Sequence, residues 1–178
     1  MRRTRRTGTG GLLMLMISSL PGQAADNNVH LYGALVAEPC VVAPGDDEVQ
    51  VEFGTIVDKY LYLNTRTQGM PFEIRLTECD VTLGKTVKVT FTGTESVQLP
   101  GLLALDGGSE ASGIAIGLET SIAQPLPINK ESDGFTLQDG ISTIALKAYV
   151  QGEPQAITDH SIGRGAFTAT ATFNLEYE

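Results

Sequence analysis

Residue types that carry chemistry are sparse in this 178-residue chain, and where they occur their spacing argues against using them. Asp159-His160-Ser161 holds the three residue types of a hydrolytic triad. Adjacent residues cannot face one another as a triad requires, and a triad is defined by roles in space. With no nucleophile elbow nearby, the stretch reads as a polar loop. Asp46-Asp47-Glu48 gathers carboxylates but lacks the alternating oxygen ligands of a calcium loop, so it reads as a solvated turn. Gly107-Gly108 and Gly163-Arg164-Gly165 follow no Rossmann or P-loop context. His30 falls on the outward face of an alternating segment and reads as solvated. No catalytic residue, metal site or cofactor is expected.

The two cysteines, Cys40 and Cys79, have no histidine at ligand spacing, which makes a metal site the weaker reading. Their redox state follows from where the chain goes. Met1-Arg2-Arg3-Thr4-Arg5-Arg6 is a basic head, Leu12–Ile17 a short apolar run, and Pro21-Gly22-Gln23-Ala24 a small-residue exit. That is a secretory signal peptide, Met1–Ala24, with cleavage after Ala25 as the near alternative. The apolar run is about half the ~20 residues of a membrane span. The arginine pairs suggest a twin-arginine signal, but Thr7-Gly8 stands where such signals carry bulkier apolar residues. An exported chain meets an oxidising compartment, so a Cys40–Cys79 disulfide is the default. Closing a loop of roughly 40 residues contributes about 4 kcal/mol in the chain-entropy picture.

Removing Met1–Ala24 takes away four of 12 basic residues and none of 21 acidic ones, leaving eight against 21, a net charge of −13. Such acidity argues against nucleic acid or an anionic membrane as partner. The chain also lacks a basic, aromatic-interleaved surface for nucleic acid.

The elements that must hold these residues are strands. Val29, Leu31, Gly33, Leu35 and Ala37 alternate with His30, Tyr32, Ala34, Val36 and Glu38, and Pro39-Cys40 closes the segment. Val49, Val51 and Phe53 alternate again. Phe72–Cys79, Thr86–Phe91, Ile114–Leu118, Phe135–Leu137 and Ile144–Val150 read as strands. Leu126-Pro127-Ile128 is a scrap that its proline confines to an edge. Thr55–Gly69 fits neither period, and Gly152–Gly163 reads as a connection. No stretch of ten or more residues shows helical periodicity. Roughly seven short strands in ~150 residues predict an all-β sandwich.

The most strand-like stretch is Gly165–Glu178. Phe167, Ala169, Ala171, Phe173, Leu175 and Tyr177 share one face, and Thr168, Thr170, Thr172, Asn174 and Glu176 the other. No hairpin partner follows it in the sequence. On its pattern alone it can be read as a plain terminal edge strand.

Four features together resemble the pilin subunits of bacterial chaperone–usher fimbriae, of the type 1 and P pilus kind. Val29–Cys40 looks like the family's N-terminal extension, with alternating apolar residues, a glycine among them, then Pro-Cys. The Cys40/Cys79 pair, with Cys79 ending the Phe72–Leu76 strand, is the second. Val87-Lys88-Val89-Thr90-Phe91-Thr92-Gly93 after the second cysteine is the third. The fourth is the tail, where Tyr177 is penultimate and Gly165 is fourteenth from the end.

The resemblance implies an incomplete immunoglobulin-like sandwich that lacks its C-terminal seventh strand and carries an N-terminal donor-strand extension. Its parts would be residues 1–24 as signal peptide, 25–38 as donor strand and 39–178 as pilin domain. The donor residues would be Val29, Leu31, Gly33 and Leu35. The receiving strand would be Gly165, Phe167, Ala169, Ala171, Phe173, Leu175, Tyr177 and Glu178. Gly33 would fit where the groove floor rises; a bulge is the other reading. Full burial of Val29, Leu31 and Leu35 gives roughly 5–9 kcal/mol before ordering costs. A one-residue slip would turn His30, Tyr32 and Glu38 inward.

The implied partners are a periplasmic fimbrial chaperone, with a basic clamp on the Glu178 carboxylate, an outer-membrane usher, and neighbouring pilins. The implied location is the fimbrium, reached through the periplasm. There is no room before Val29 for the lectin domain of a tip adhesin, and the short lead-in favours a minor subunit over a major rod subunit. The competing expectation is a free-standing secreted β-sandwich that binds carbohydrate or protein, with Val29–Ala37 packed in its own sheet.

Overall fold

A computed structural model describes residues 29 and 31–178 of the chain. Met1–Ala24, expected as the signal peptide, and His30 lie outside the described residues. The chain divides into one unit ending at Leu35 and a second from Val36 to Glu178.

The second unit is built from β1 (Val41–Val42), α1 (Asp58–Asn64), β2 (Met70–Cys79), β3 (Thr86–Thr92), β4 (Ile114–Thr120), β5 (Phe135–Thr136), β6 (Gly140–Gly152), α2 (Pro154–Thr158) and β7 (Thr172–Tyr177). The strands form a four-stranded sheet, β1-β2-β6-β4, and a three-stranded sheet, β5-β3-β7, antiparallel throughout. In β2 and β6 the period-two pattern sends Ile74, Leu76, Ile144, Leu146 and Val150 inward, where they meet Val87 and Val89 of β3. The disulfide joins Cys40 to Cys79 as expected, and both cysteines are buried.

Both helices escape sequence reading for the same reason. α1 spans seven residues and α2 five, less than two turns each, too short for a 3.6-residue period to declare itself. α1 begins at Asp58 and stops at Thr65, whose φ of +69° cannot continue a helix. α2 opens on Pro154, whose fixed φ suits a first helical turn.

Two further expectations are corrected. Asp46 is not a solvated turn residue: it is 7% exposed. The Arg75 Nη2 and Nε donate to its two oxygens at 2.6 and 2.9 Å, and the Arg75 main-chain N–H adds a third bond at 2.8 Å. A carboxylate this well supplied with donors can be buried, and Arg75 holds its pKa down at about 2. Secondly, Val49–Phe53 alternates as a strand should, yet belongs to neither sheet.

Candidate functional site: an open groove between two walls

Most sheet edges are closed by the chain itself. On β4, Leu103 and Ile116 exchange N–H···O bonds at 2.8 and 2.9 Å, and the Leu126 N–H donates to Leu118 O at 2.8 Å. The free side of β3 is covered by β5 and by bonds from Ser132 N to Val89 O and Asn129 N to Phe91 O. β7 is different. It pairs with β3 on one side, in the register Val87↔Tyr177 through Thr92↔Thr172, and among the described residues has no strand on the other.

Alternation decides which groups are left over. The Thr86 and Glu178 main chains exchange hydrogen bonds, so the even-numbered residues of β7 are the ones whose N–H and C=O groups face β3. Upstream, the even residues are satisfied as well. Ala166 O accepts from Glu110 and Ala111, Thr168 O accepts from Asp106, and the Thr170 N–H donates to the Asp106 carboxylate. The odd residues therefore turn their main-chain groups to the open edge. Among the described residues no backbone hydrogen bond reaches Phe167, Ala169 or Ala171. This is why the strand expected from Phe167 is assigned as one only from Thr172: the chain is extended throughout, but its first half lacks a ladder.

The same odd residues carry the apolar side chains. Phe167, Ala169, Ala171 and Phe173 line a cavity of about 750 Å³, faced on the far side by Asp47–Val51 and Phe53. Its floor is Phe72 and Ile74 of β2, Phe91 of β3, Ile116 and Leu118 of β4, Ala148 of β6, and Leu103 from the segment bridged to β4. The Phe72 and Phe91 rings meet edge-to-face at 6.4 Å, joining the two sheets beneath it. Every odd residue from Phe167 to Tyr177 is half-buried and every even one exposed, as expected of side chains with a floor but no lid. The opposite wall is barer still: no backbone–backbone hydrogen bond of described residues involves Asp47–Ile56. Two unpaired edges flanking an open apolar groove are an unsatisfied site for one more strand.

The remaining residues expected at this site fall as follows. Gly165 has a φ of +149°, and an added Cβ would collide with the Cβ of Glu110. Tyr177 places its hydroxyl 3.4 Å from Cys40 O. The main-chain oxygen of Glu178 accepts from the N–H groups of Lys85 and Thr86 at 2.7 and 3.1 Å. Its side chain binds the Lys88 ammonium at 2.6 Å, with Glu131 at 3.1 Å, and the two carboxylates push the Lys88 pKa up to about 12. Val29, Leu31 and Leu35 are exposed, Leu35 fully, and nothing lies within 4 Å of a Cβ built on Gly33.

The residues of Asp159-His160-Ser161 make separate local contacts. The His160 ring packs at a tilt against Tyr62, ring centroids 4.5 Å apart, while Asp159 accepts from Gln155. Among the described residues no cluster of His, Cys, Asp or Glu is arranged to hold a metal. Sequence reasoning missed the ion pairs Asp46–Arg75 and Asp58–Arg164, whose partners lie far apart in the chain and carry no local signal.

Fold and groove together define a β-sandwich one strand short, of the kind that is completed from outside. The chain belongs to the fimbrial protein family, whose model matches residues 29–178. It is 34% identical to the fimbrial adapter PapK of Escherichia coli over 173 residues, covering 94% of this chain and 97% of PapK. It is 32% identical to the Fimbria A protein of Serratia marcescens over 169 residues, covering 94% of each. The crystal structure of the P pilus rod subunit PapA superposes with a TM-score of 0.68 at 27% identity, covering 79% of this chain and all of PapA. A subunit from a chaperone–usher pilus structure gives the same TM-score and identity over 90% of this chain. The protein is a structural subunit of a bacterial surface fimbria, not a free-standing binding module.

Proposed function

We propose that residues 39–178 form the receiving domain, that residues 25–38 form the strand it donates, and that the groove between Asp47–Phe53 and Phe167–Phe173 takes the corresponding segment of a neighbouring subunit. The observation that carries this is the coincidence on β7 and its approach: the residues with apolar side chains in the groove are those whose main-chain groups lack partners. One inserted strand satisfies both at once, the mode of β-strand addition already described for pilins. Val29, Leu31 and Leu35 supply alternating apolar side chains, and Gly33 passes where the floor leaves no room.

Before assembly the same edge is an aggregation hazard. A periplasmic chaperone covers it, lending a strand beside Phe167–Tyr177, and an outer-membrane usher exchanges that strand for a subunit's own. The short lead-in before Val29 favours a minor subunit. A structural role of this kind needs no catalytic residue. The test adds a synthetic peptide of residues 25–38 to the mature chain and follows thermal unfolding. A concentration-dependent rise in melting temperature, absent when the peptide carries leucine in place of Gly33, is expected. Equal stabilisation by both peptides, or by neither, refutes the reading.

A further inference from the structure

The wall Asp47–Val57 has no ladder to hold it, so beyond the packing of Val49, Val51, Phe53 and Ile56 on the core its position depends on its two ends. At one end stands Asp46, bound by Arg75. At the other stands Asp58, the first residue of α1, and here the two walls meet: both Nε and Nη2 of Arg164 donate to Asp58 Oδ2, at 2.9 and 2.6 Å. Arg164 immediately precedes Gly165, where the opposite wall begins. The other Asp58 oxygen accepts the Lys59 N–H at 2.8 Å, and Arg164 lowers the Asp58 pKa. The Ile162 N–H donates to the Tyr62 hydroxyl at 3.3 Å, and the His160 ring lies on Tyr62. On the groove side of this cluster Phe53 faces Phe167 across the gap, ring centroids 6.1 Å apart.

We infer that Asp58 and Arg164 form a buckle that sets the separation of the two walls at this end of the groove, which makes Arg164 a positioning residue for strand insertion. The inference rests on the reading that the groove takes a strand. The physical reason is preorganisation. A surface ion pair adds little to global stability, but this one joins two segments that no backbone hydrogen bond joins. Fixing their separation lowers the ordering cost of inserting a strand between them. Asp58 is the sheltered partner, its side chain 15% exposed against 80% for Arg164, so the pair is held from the α1 side and Arg164 is the arm that can open. The Asp159-His160-Ser161 stretch then has a mechanical use, since His160 braces the Tyr62 ring that receives Ile162.

The test measures association and dissociation of the residue 25–38 peptide on the full mature chain at ~0.05 and ~0.5 M NaCl. It compares wild type, Arg164→Ala, Arg164→Lys and the charge-exchanged pair Asp58→Arg with Arg164→Asp. At low salt Arg164→Ala is expected to bind about threefold more weakly, chiefly through faster release, with unfolding of the peptide-free chain nearly unchanged. High salt should bring wild type toward the variant and leave the variant comparatively still. The lysine variant should recover part of the loss and the exchanged pair most of it. Equal affinity and equal salt response in wild type and Arg164→Ala overturns the buckle alone. Loss that the exchanged pair does not repair overturns it too, because the role is then packing. Absence of peptide binding to wild type overturns the groove reading and the buckle with it.

Discussion

The hydroxyl of Tyr177 donates to the carbonyl oxygen of Cys40, 3.4 Å away, so β7 is fastened to the disulfide at the start of the sandwich. Cys40 is tied through its sulfur to the end of β2, and through this bond to the far end of β7. The groove walls therefore meet the rest of the fold at both extremes, by Tyr177 at one and by Asp58–Arg164 at the other.

Tyr177→Phe keeps the ring and removes the bond. It should cost about 0.5–1.5 kcal/mol in urea unfolding at neutral pH. Burial, reinforced by the charge of Glu38, pushes the Tyr177 phenol above its ordinary pKa of 10.0. A raised folded-state pKa means stability that is full below about pH 10 and lost as pH climbs through the folded value. The phenylalanine variant should lack that alkaline loss, which a pH series of unfolding curves measures.

Asp46→Asn should lower the melting temperature by several degrees at pH 7, because Arg75 loses its charged partner. The sign with pH is the reverse of Tyr177. The Asp46 pKa is depressed from 3.8 to about 2, so its contribution is present above pH ~4 and disappears as pH falls through about 2. Melting curves of wild type and variant should converge over that window.

Gly165→Ala should destabilise the domain by about 2 kcal/mol or more. It demands a positive φ of a residue with a Cβ and drives that Cβ into Glu110. Denaturant unfolding checks it, and Thr168→Ala, exposed on the same segment, serves as the near-neutral control.

Gly33→Leu should leave folding of the subunit intact, since among the described residues nothing lies within 4 Å of a Cβ at this position. Incorporation into fibres should fail, because the side chain would strike the floor of the neighbour's groove. Co-expression with a fimbrial chaperone and usher, followed by electron microscopy and blotting of sheared fibres, separates the two outcomes. Normal incorporation would count against the groove geometry.

Most strands were legible because period-two alternation is a local property: a run such as Phe72–Leu76 shows its inward face whatever it packs on. The alternation of Phe167–Tyr177 was equally plain. What could not be read was that only Thr172–Tyr177 has a ladder, since pairing depends on what lies alongside. Val49–Phe53 carries the same pattern and pairs with nothing, and its place as the second wall of the groove emerges only once β2 and β6 stand beneath it. Asp46 looked like a hydrated turn because its neighbours Asp47 and Glu48 are acidic. Arg75, 29 positions on, is what allows it to be buried.

By itself the sequence determined the all-β class, the two cysteines that pair, the apolar face of the tail and the alternating segment Val29–Ala37 that could serve as a strand. Each is written in residue type and spacing over a few neighbours. Tertiary structure alone decided that the tail's apolar face and its unpaired main-chain groups coincide on one open edge. It alone brought Asp58 to Arg164 across the end of that edge. Hydrogen bonds and ion pairs between distant segments depend on where the fold carries them, and no local pattern encodes that distance.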